Sequence, residues 1–547
     1  MPTTSRPMSR TVARAASRCV LALMATIPAA ALAQTTTPAV STLVAFSGSQ
    51  AYSSPVRGPD GALYGVTSTI NIVTGGLIYR LAADGSKIET LYQLRLEDGY
   101  SPFGGLLLAT DGKFYGTTTL GAANQANTTG TVYTIATDGS GFEVLHRFQT
   151  YASLNSIGGP INTDGASPEA ELIEGNDGHL YGVARAGGPN GNGTVFKLGK
   201  DGSGFTVLHA FGATTSAANV SPATNVDGIG PVGPLVEGAD GYFYGTAARG
   251  GTAGYGTIFR VRFDGTGFEV VRTFPTLTQA SSTAPLANAD GAVPLAGLTD
   301  GQDGRLYGVA SAGGSNGVGT VFAYDPVGGV FTVLHNFDGS KGAQPSGELR
   351  LAQDGKLYGN TSSGGTAANG SATLLGTIYS IARDGTGFTS IYSFKGEDGV
   401  SPTGRLLQMD ATTFVGVTQA GGRCSQGTVY QLSLTGATAR GVTNCGRNDD
   451  GGGVRGREMA DVLRVGKEGD VPFPGLFDLG DAPDLQAAVR HVGFDPGVDQ
   501  CGDVSQGHGG RCPVYFPKAC MRCSTCAVRS CFSVAYSSRI SPLRSKM

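Results

Sequence analysis

The chain has 547 residues, with 39 lysines and arginines against 42 acidic residues and a formal net charge of −3 at pH 7. That near-neutral balance excludes the basic stripe expected of a nucleic-acid-binding surface. Only 15% of residues are charged and 88 are glycine. The glycines lack a three-residue period, so the excess points to tight turns between short strands rather than to a collagen-like chain.

In chain order, residues 1–33 read as a secretory signal peptide. Arg6, Arg10, Arg14 and Arg18 precede the apolar run Cys19–Ala33, and Ala31-Leu32-Ala33 is a small-x-small cleavage site before Gln34. The run is too short for an ordinary membrane span, although a retained N-terminal anchor is the alternative. No later segment has 18 consecutive apolar residues. The expected mature chain therefore has no transmembrane segment and is extracellular or at the cell surface.

Three strings then recur. Asp-Gly-x-(Leu/Phe)-Tyr-Gly begins at Asp60, Asp111, Asp177, Asp240, Asp303 and Asp354, with a degraded copy at Thr413-Phe414-Val415-Gly416. Gly-Thr-(Val/Ile)-(Phe/Tyr) begins at Gly130, Gly193, Gly256, Gly319, Gly376 and Gly427, with a looser first copy at Gly76. A third string, Val-Leu-His-x-Phe, occurs at Val144, Val207 and Val333, with variants elsewhere. Asp-Gly supplies the positive φ of a tight hairpin, and stretches such as Gly130–Ala136 alternate apolar and polar as half-buried strands do. Four such strands make a propeller blade, and a repeat longer than 40 residues favours a propeller over a solenoid.

The strand count predicts how the ring closes. Seven copies of the second and third strands are present, but only six copies of the fourth lie among them. The missing one stands at the front, Thr42–Phe46, and is expected to pair with Gly427–Leu432 so that no edge is left open. The predicted fold is all-β: a seven-bladed β-propeller of four-stranded blades over residues 34–440, closed by an N-terminal strand.

Asn176–Phe211, with DGHLYG, GTVF and DGSGFTVLHAF in succession, resembles the GloVer-type tandem repeat of exported bacterial proteins. The resemblance covers about Thr42 to Leu434. It implies an extracytoplasmic β-propeller and transfers no activity or catalytic residue.

Three successive blade connections carry long polar inserts, Thr150–Asp164, Ala213–Asp227 and Thr276–Asp290. They are expected on the same face as the variable loops between second and third strands, where binding residues collect on rigid scaffolds. Tyr151, Asn190, Asn192, Tyr255 and Asn316 are the candidate ligand-binding residues; tolerated surface drift is the alternative for the inserts. The repeated tyrosines and His146, His209 and His335 read as blade packing, since equivalent positions in separate blades do not converge on a metal. No catalytic or metal-binding motif is legible and no cofactor is expected; calcium at the DGSG turns is the weighed exception, with too few carboxylates per turn.

Residues 441–547 change character. Seven cysteines lie between Cys445 and Cys531, and Gly446–Gly456 reads as a spacer. Disulfides and a metal knuckle are both open readings of the Cys520–Cys531 run. The tail as a whole reads as disordered or as a frame-shifted translation. The functional expectation is a monomeric, non-enzymatic module recognising a glycan or an extracellular protein; the alternative is a propeller lyase or glycosidase acting on polysaccharide.

Overall fold

The computed structural model describes residues 37–437, apart from 69–74, 122–128, 152, 216–221, 367–369 and 372–373. The expected signal peptide and the cysteine-rich tail lie outside the described residues. All regular structure among the described residues is β-strand, and no helix there is long and apolar enough to cross a membrane.

Seven antiparallel sheets of four or five strands are the blades of a β-propeller. Blade 1 spans Val56–Gln93, blade 2 Leu107–Arg147, blade 3 Ile173–Ala210, blade 4 Ile229–Thr273, blade 5 Thr299–Asn336 and blade 6 Ala343–Ser393. Blade 7 takes three strands from Val400–Ser433 and its fourth, Ala39–Ala45, from the front of the chain. The expected closure is present: Thr42 pairs with Tyr430, Val44 with Val429 and Ala45 with Thr428, and the Phe46 amide donates to the Gly427 carbonyl at 3.0 Å. A register shift lies between Thr42 and Val44, where the other blades have one between their third and fourth strands. The N-terminal strand is thus a full structural copy of the fourth strand.

The recurring strings have direct physical causes. The Asp-Gly turn folds the first strand onto the second, and its aspartate also receives the tyrosine of the same string. Tyr115 Oη donates to Asp111 Oδ2 at 2.7 Å, and Tyr181, Tyr244 and Tyr307 do likewise to Asp177, Asp240 and Asp303 at 2.7, 2.7 and 2.8 Å. These rings are buried and leave only the hydroxyl to be satisfied. The glycine after the tyrosine is needed for space. The aromatic ring of the Gly-Thr-Val-Phe/Tyr string lies across it, so a Cβ on Gly245 would stand 2.5 Å from Phe259 Cζ and one on Gly116 2.4 Å from Tyr133 Oη.

The core is divided among the blade interfaces. Phe211 and Val195 of blade 3 pack on Phe243 and Phe259 of blade 4, and the same kind of cluster recurs at the other junctions. The closing junction joins Leu43, Val417 and Val429 of blade 7 to Leu63, Tyr79 and Leu81 of blade 1. Each blade buries one face against each neighbour, so closing the ring leaves no blade with an unpartnered apolar face.

Candidate functional site

In an up-and-down blade the Asp-Gly hairpins lie on one face of the ring, and the blade connections and loops between second and third strands lie on the other. The three inserts are therefore on the loop face. Two contain small hairpins of their own, Ser153–Leu154 with Pro160–Ile161 and Thr278–Gln279 with Leu286–Ala287.

Each insert ends in Asn-x-Asp-Gly, at Asn162, Asn225 and Asn288, and this string is a bracket. Asn162 Oδ1 accepts from the Gly165 amide at 3.0 Å and from the Gly188 amide, in the neighbouring loop, at 2.8 Å. Asn225 repeats this with Gly228 and Gly251 at 2.9 and 3.0 Å, and Asn288 with Gly291 and Gly314 at 2.8 and 3.1 Å. Their amide nitrogens donate back to carbonyls at the start of each insert, on Gln149, Gly212 and Pro275. The following aspartate grips the fourth strand just passed: Asp164 binds His146, Asp227 binds His209 and Asp290 binds Arg272. The closing end of each insert is thus tied to its start and to the adjacent loop.

The five candidate binding residues all fall on this face, and the structure gives four of them a part in holding it. Asn192 is buried; its amide donates to the Gly212 carbonyl at 2.6 Å and its Oδ1 accepts from Asn155 at 3.0 Å. Asn190 and Asn316 are repeat equivalents, each donating to the carbonyl that ends its fourth strand, Phe211 and Phe337, at 2.9 Å. Tyr255 packs half-buried between two apolar clusters, and its carbonyl accepts from Val293 at 2.9 Å. Tyr151 is half-buried at the root of the first insert. They lie in several blades and do not converge on one point.

The convergent chemistry is in the central channel. The innermost strands bring Ser54, Gly105, Glu171, Pro234, Gly297, Glu348 and Arg405 to equivalent positions around its waist. On the loop side the channel widens into a cavity of about 190 Å3 whose mouth carries Tyr52, Phe103, Glu169 and Leu295; on the hairpin side a second cavity of about 380 Å3 passes Glu174, Glu237 and Asp300. Glu171, Pro234, Glu348, Arg350 and Arg405 line both. Tyr52 and Phe103 meet edge to face at 4.5 Å.

The sequence profile of the Gloeobacter/Verrucomicrobia repeat matches residues 31–229, 154–293, 222–374 and 296–461. The chain belongs to this repeat family. No curated protein matches it. Among solved structures, an oligogalacturonate lyase from Vibrio parahaemolyticus is 11% identical with a TM-score of 0.42, covering 72% of this chain and 93% of its own. A GH74 xyloglucanase from Xanthomonas campestris is 14% identical with a TM-score of 0.42, covering 70% and 52%. A chain of a nidogen/laminin complex is 14% identical with a TM-score of 0.35, covering 63% and 96%. At these levels the likenesses say nothing of activity.

In this Gloeobacter/Verrucomicrobia repeat protein the waist is electrostatically uneven. Arg405 Nη1 donates to Glu348 Oε1 at 3.1 Å. Half the ring away, Glu171 forms no hydrogen bond or ion pair among the described residues, and Gly105 makes room for its carboxyl: a Cβ there would stand 2.9 Å from Glu171 Oε2. Burial pushes the Glu171 carboxyl up to about 7, against the pull of Arg405 and with the help of Glu348. Burial also raises Glu348, against Arg405 and Arg350. Although protein surrounds these groups, Arg405 keeps 42% of its side-chain surface open to the channel and Glu348 12%, so water reaches the pair. Arg350 is lowered by burial and by the neighbouring Arg405, and its Nε is buried with no hydrogen-bond partner among the described residues.

Sequence reasoning missed both features. The brackets left a readable mark, Asn-x-Asp-Gly three times before a variable loop. The waist left a fainter one: charged residues at Glu171, Glu348 and Arg405, in a repeat position that other copies fill with serine, glycine or proline. Among the described residues no group of three or more His, Cys, Asp or Glu side chains is placed to hold a metal. In the DGSG turn at Asp201, Oδ1 accepts from the Ser203 amide and hydroxyl at 3.0 and 2.6 Å.

Proposed function

We propose that this chain is an exported, non-enzymatic propeller that recognises an extracellular glycan or protein through its insert-bearing face. The observation that carries the reading is the bracketing of three adjacent inserts by Asn162, Asn225 and Asn288. Insert ends held in this way have less conformational entropy to lose on binding. The side chains it exposes support recognition of a broad surface: Leu154, Ile157 and Val226 all project from the inserts. Export is supported by the leader-like N-terminus and by Cys424, which is disulfide-bonded and so suits an oxidising compartment.

The test is a glycan array and a pull-down from culture supernatant, run with the intact protein and with a variant whose three inserts are shortened. Retention of a glycan or protein by the intact chain alone supports the reading. Equal retention by both removes the inserts from it.

One observation favours a second reading, a polysaccharide-active enzyme. Glu171 and Glu348 face each other across the channel in different environments, one without a partner and one paired with Arg405. Carboxyl groups in contrasting surroundings are how acid and base roles are divided. These charges lie at the waist rather than at the rim, where a polymer would meet them first. Release of oligosaccharide from polysaccharide, abolished by Glu171→Gln, would replace the first reading by the second.

A further inference from the structure

We propose that the waist of the channel is a binding site for a small hydroxylated carboxylate of the sugar-acid class, received by the guanidinium groups of Arg350 and Arg405. The inference does not depend on the recognition face.

Two carboxyl and two guanidinium groups share the waist, and one of each is paired. Burial and the neighbouring Arg405 disfavour the charged form of Arg350 and Glu348 favours it, but the Glu348 carboxylate is bound to Arg405, at 3.1 Å. Arg350 is left with no ion pair among the described residues and with its Nε buried and unbonded. A guanidinium is a rigid planar donor fork matched to a carboxylate, and one left unpaired inside a protein is an anion receptor in search of its anion.

Further polar residues line the same cavity. The hydroxyls of Ser53 and Ser54, which line the loop-side cavity, are buried with no partner among the described residues. Glu171 faces the same space. Because burial holds it neutral below about pH 7, it offers a hydroxyl donor there instead of a repelling charge. The groups facing it are Glu348 and Arg405 across the channel; Glu169, nearer the mouth, is paired with Arg185 at 3.3 Å. A ligand with one carboxylate and several hydroxyls matches the Arg350 guanidinium and the polar lining together, whereas a neutral sugar leaves Arg350 unmatched.

The test is calorimetric titration of the purified full-length protein with D-galacturonate at pH 6, beside D-galactose and inorganic phosphate. Saturable binding of galacturonate, with galactose weaker by about tenfold or more, is expected. Arg350→Met should abolish that preference while Arg350→Lys keeps part of it, and thermal melting of both variants verifies that they fold. Affinity should fall between pH 6 and pH 8.5 as Glu171 ionises, and Glu171→Gln should flatten that fall. Shortening the inserts should leave the binding unchanged. No saturable galacturonate binding, equal binding of galactose, or undiminished binding by folded Arg350→Met would overturn the proposal. Phosphate bound as tightly as galacturonate would overturn the sugar-acid assignment.

Discussion

His209 of blade 3 lies flat on Phe268 of blade 4, with ring centroids 3.4 Å apart and planes 5° apart. His146 on Phe205 and His335 on Phe388 repeat the stack at 3.6 Å, and Tyr92 on Phe142 at 4.1 Å. In blade 4 Arg272 takes the position, over Phe331. The partner is always the phenylalanine that follows the third-strand hairpin of the next blade. These side chains are fasteners between blades, which is why histidine, tyrosine and arginine interchange there.

His209→Ala should therefore cost about 1–2 kcal/mol, the loss of the stack together with the Asp227 contact at 2.9 Å. His209→Tyr should recover most of it. Urea denaturation of the three proteins checks the order; equal midpoints for histidine and alanine would show that the stack does not fasten the blades.

Gly245→Ala should destabilise by about 1–3 kcal/mol, because the added methyl meets the Phe259 ring in a closed core. Replacing Phe259 by leucine in the same chain should return part of the loss. A double-mutant cycle with a coupling near zero would contradict the steric account.

Tyr379→Phe should be neutral or stabilising by about 1 kcal/mol. The Tyr379 hydroxyl is buried with no partner among the described residues, and the equivalent positions in blades 3, 4 and 5 are Phe196, Phe259 and Phe322. A clear fall in melting temperature would mean that the hydroxyl is satisfied.

Leu43→Ala should cost about 2–5 kcal/mol, as for a fully buried core leucine, although it lies near the front of the described chain. It packs into the junction between blades 7 and 1, so the loss reports on ring closure. A change below 1 kcal/mol would show that the closing strand is dispensable.

Glu171→Gln should raise stability at pH 8.5 and leave it nearly unchanged at pH 5. The folded-state carboxyl is held up to about 7, above its ordinary range in an unfolded chain. Stability from the neutral form is complete below the unfolded value and declines as pH rises, through to about 7, because the unfolded chain loses its proton first. A melting-temperature difference between the two proteins that does not depend on pH would exclude this titration.

The fold was legible because its determinants are local. Asp-Gly turns, alternating strands and the displaced strand at Thr42–Phe46 are features of neighbouring residues, and counting them closes the ring. The same locality hides a structural part played by Asn190, Asn192 and Asn316, three of the candidate binding residues. An asparagine in a glycine-rich loop looks available in sequence, but such a loop has bare carbonyls that need donors, and these amides supply them. By itself, then, the sequence determined seven blades, their turns and their closure. Only the tertiary structure decided that Glu171, Glu348, Arg350 and Arg405 share one channel waist. Residues in blades 3, 6 and 7 are far apart along the chain, and they meet because packing each blade against the next curves the sheets into a ring whose innermost strands face a single axis.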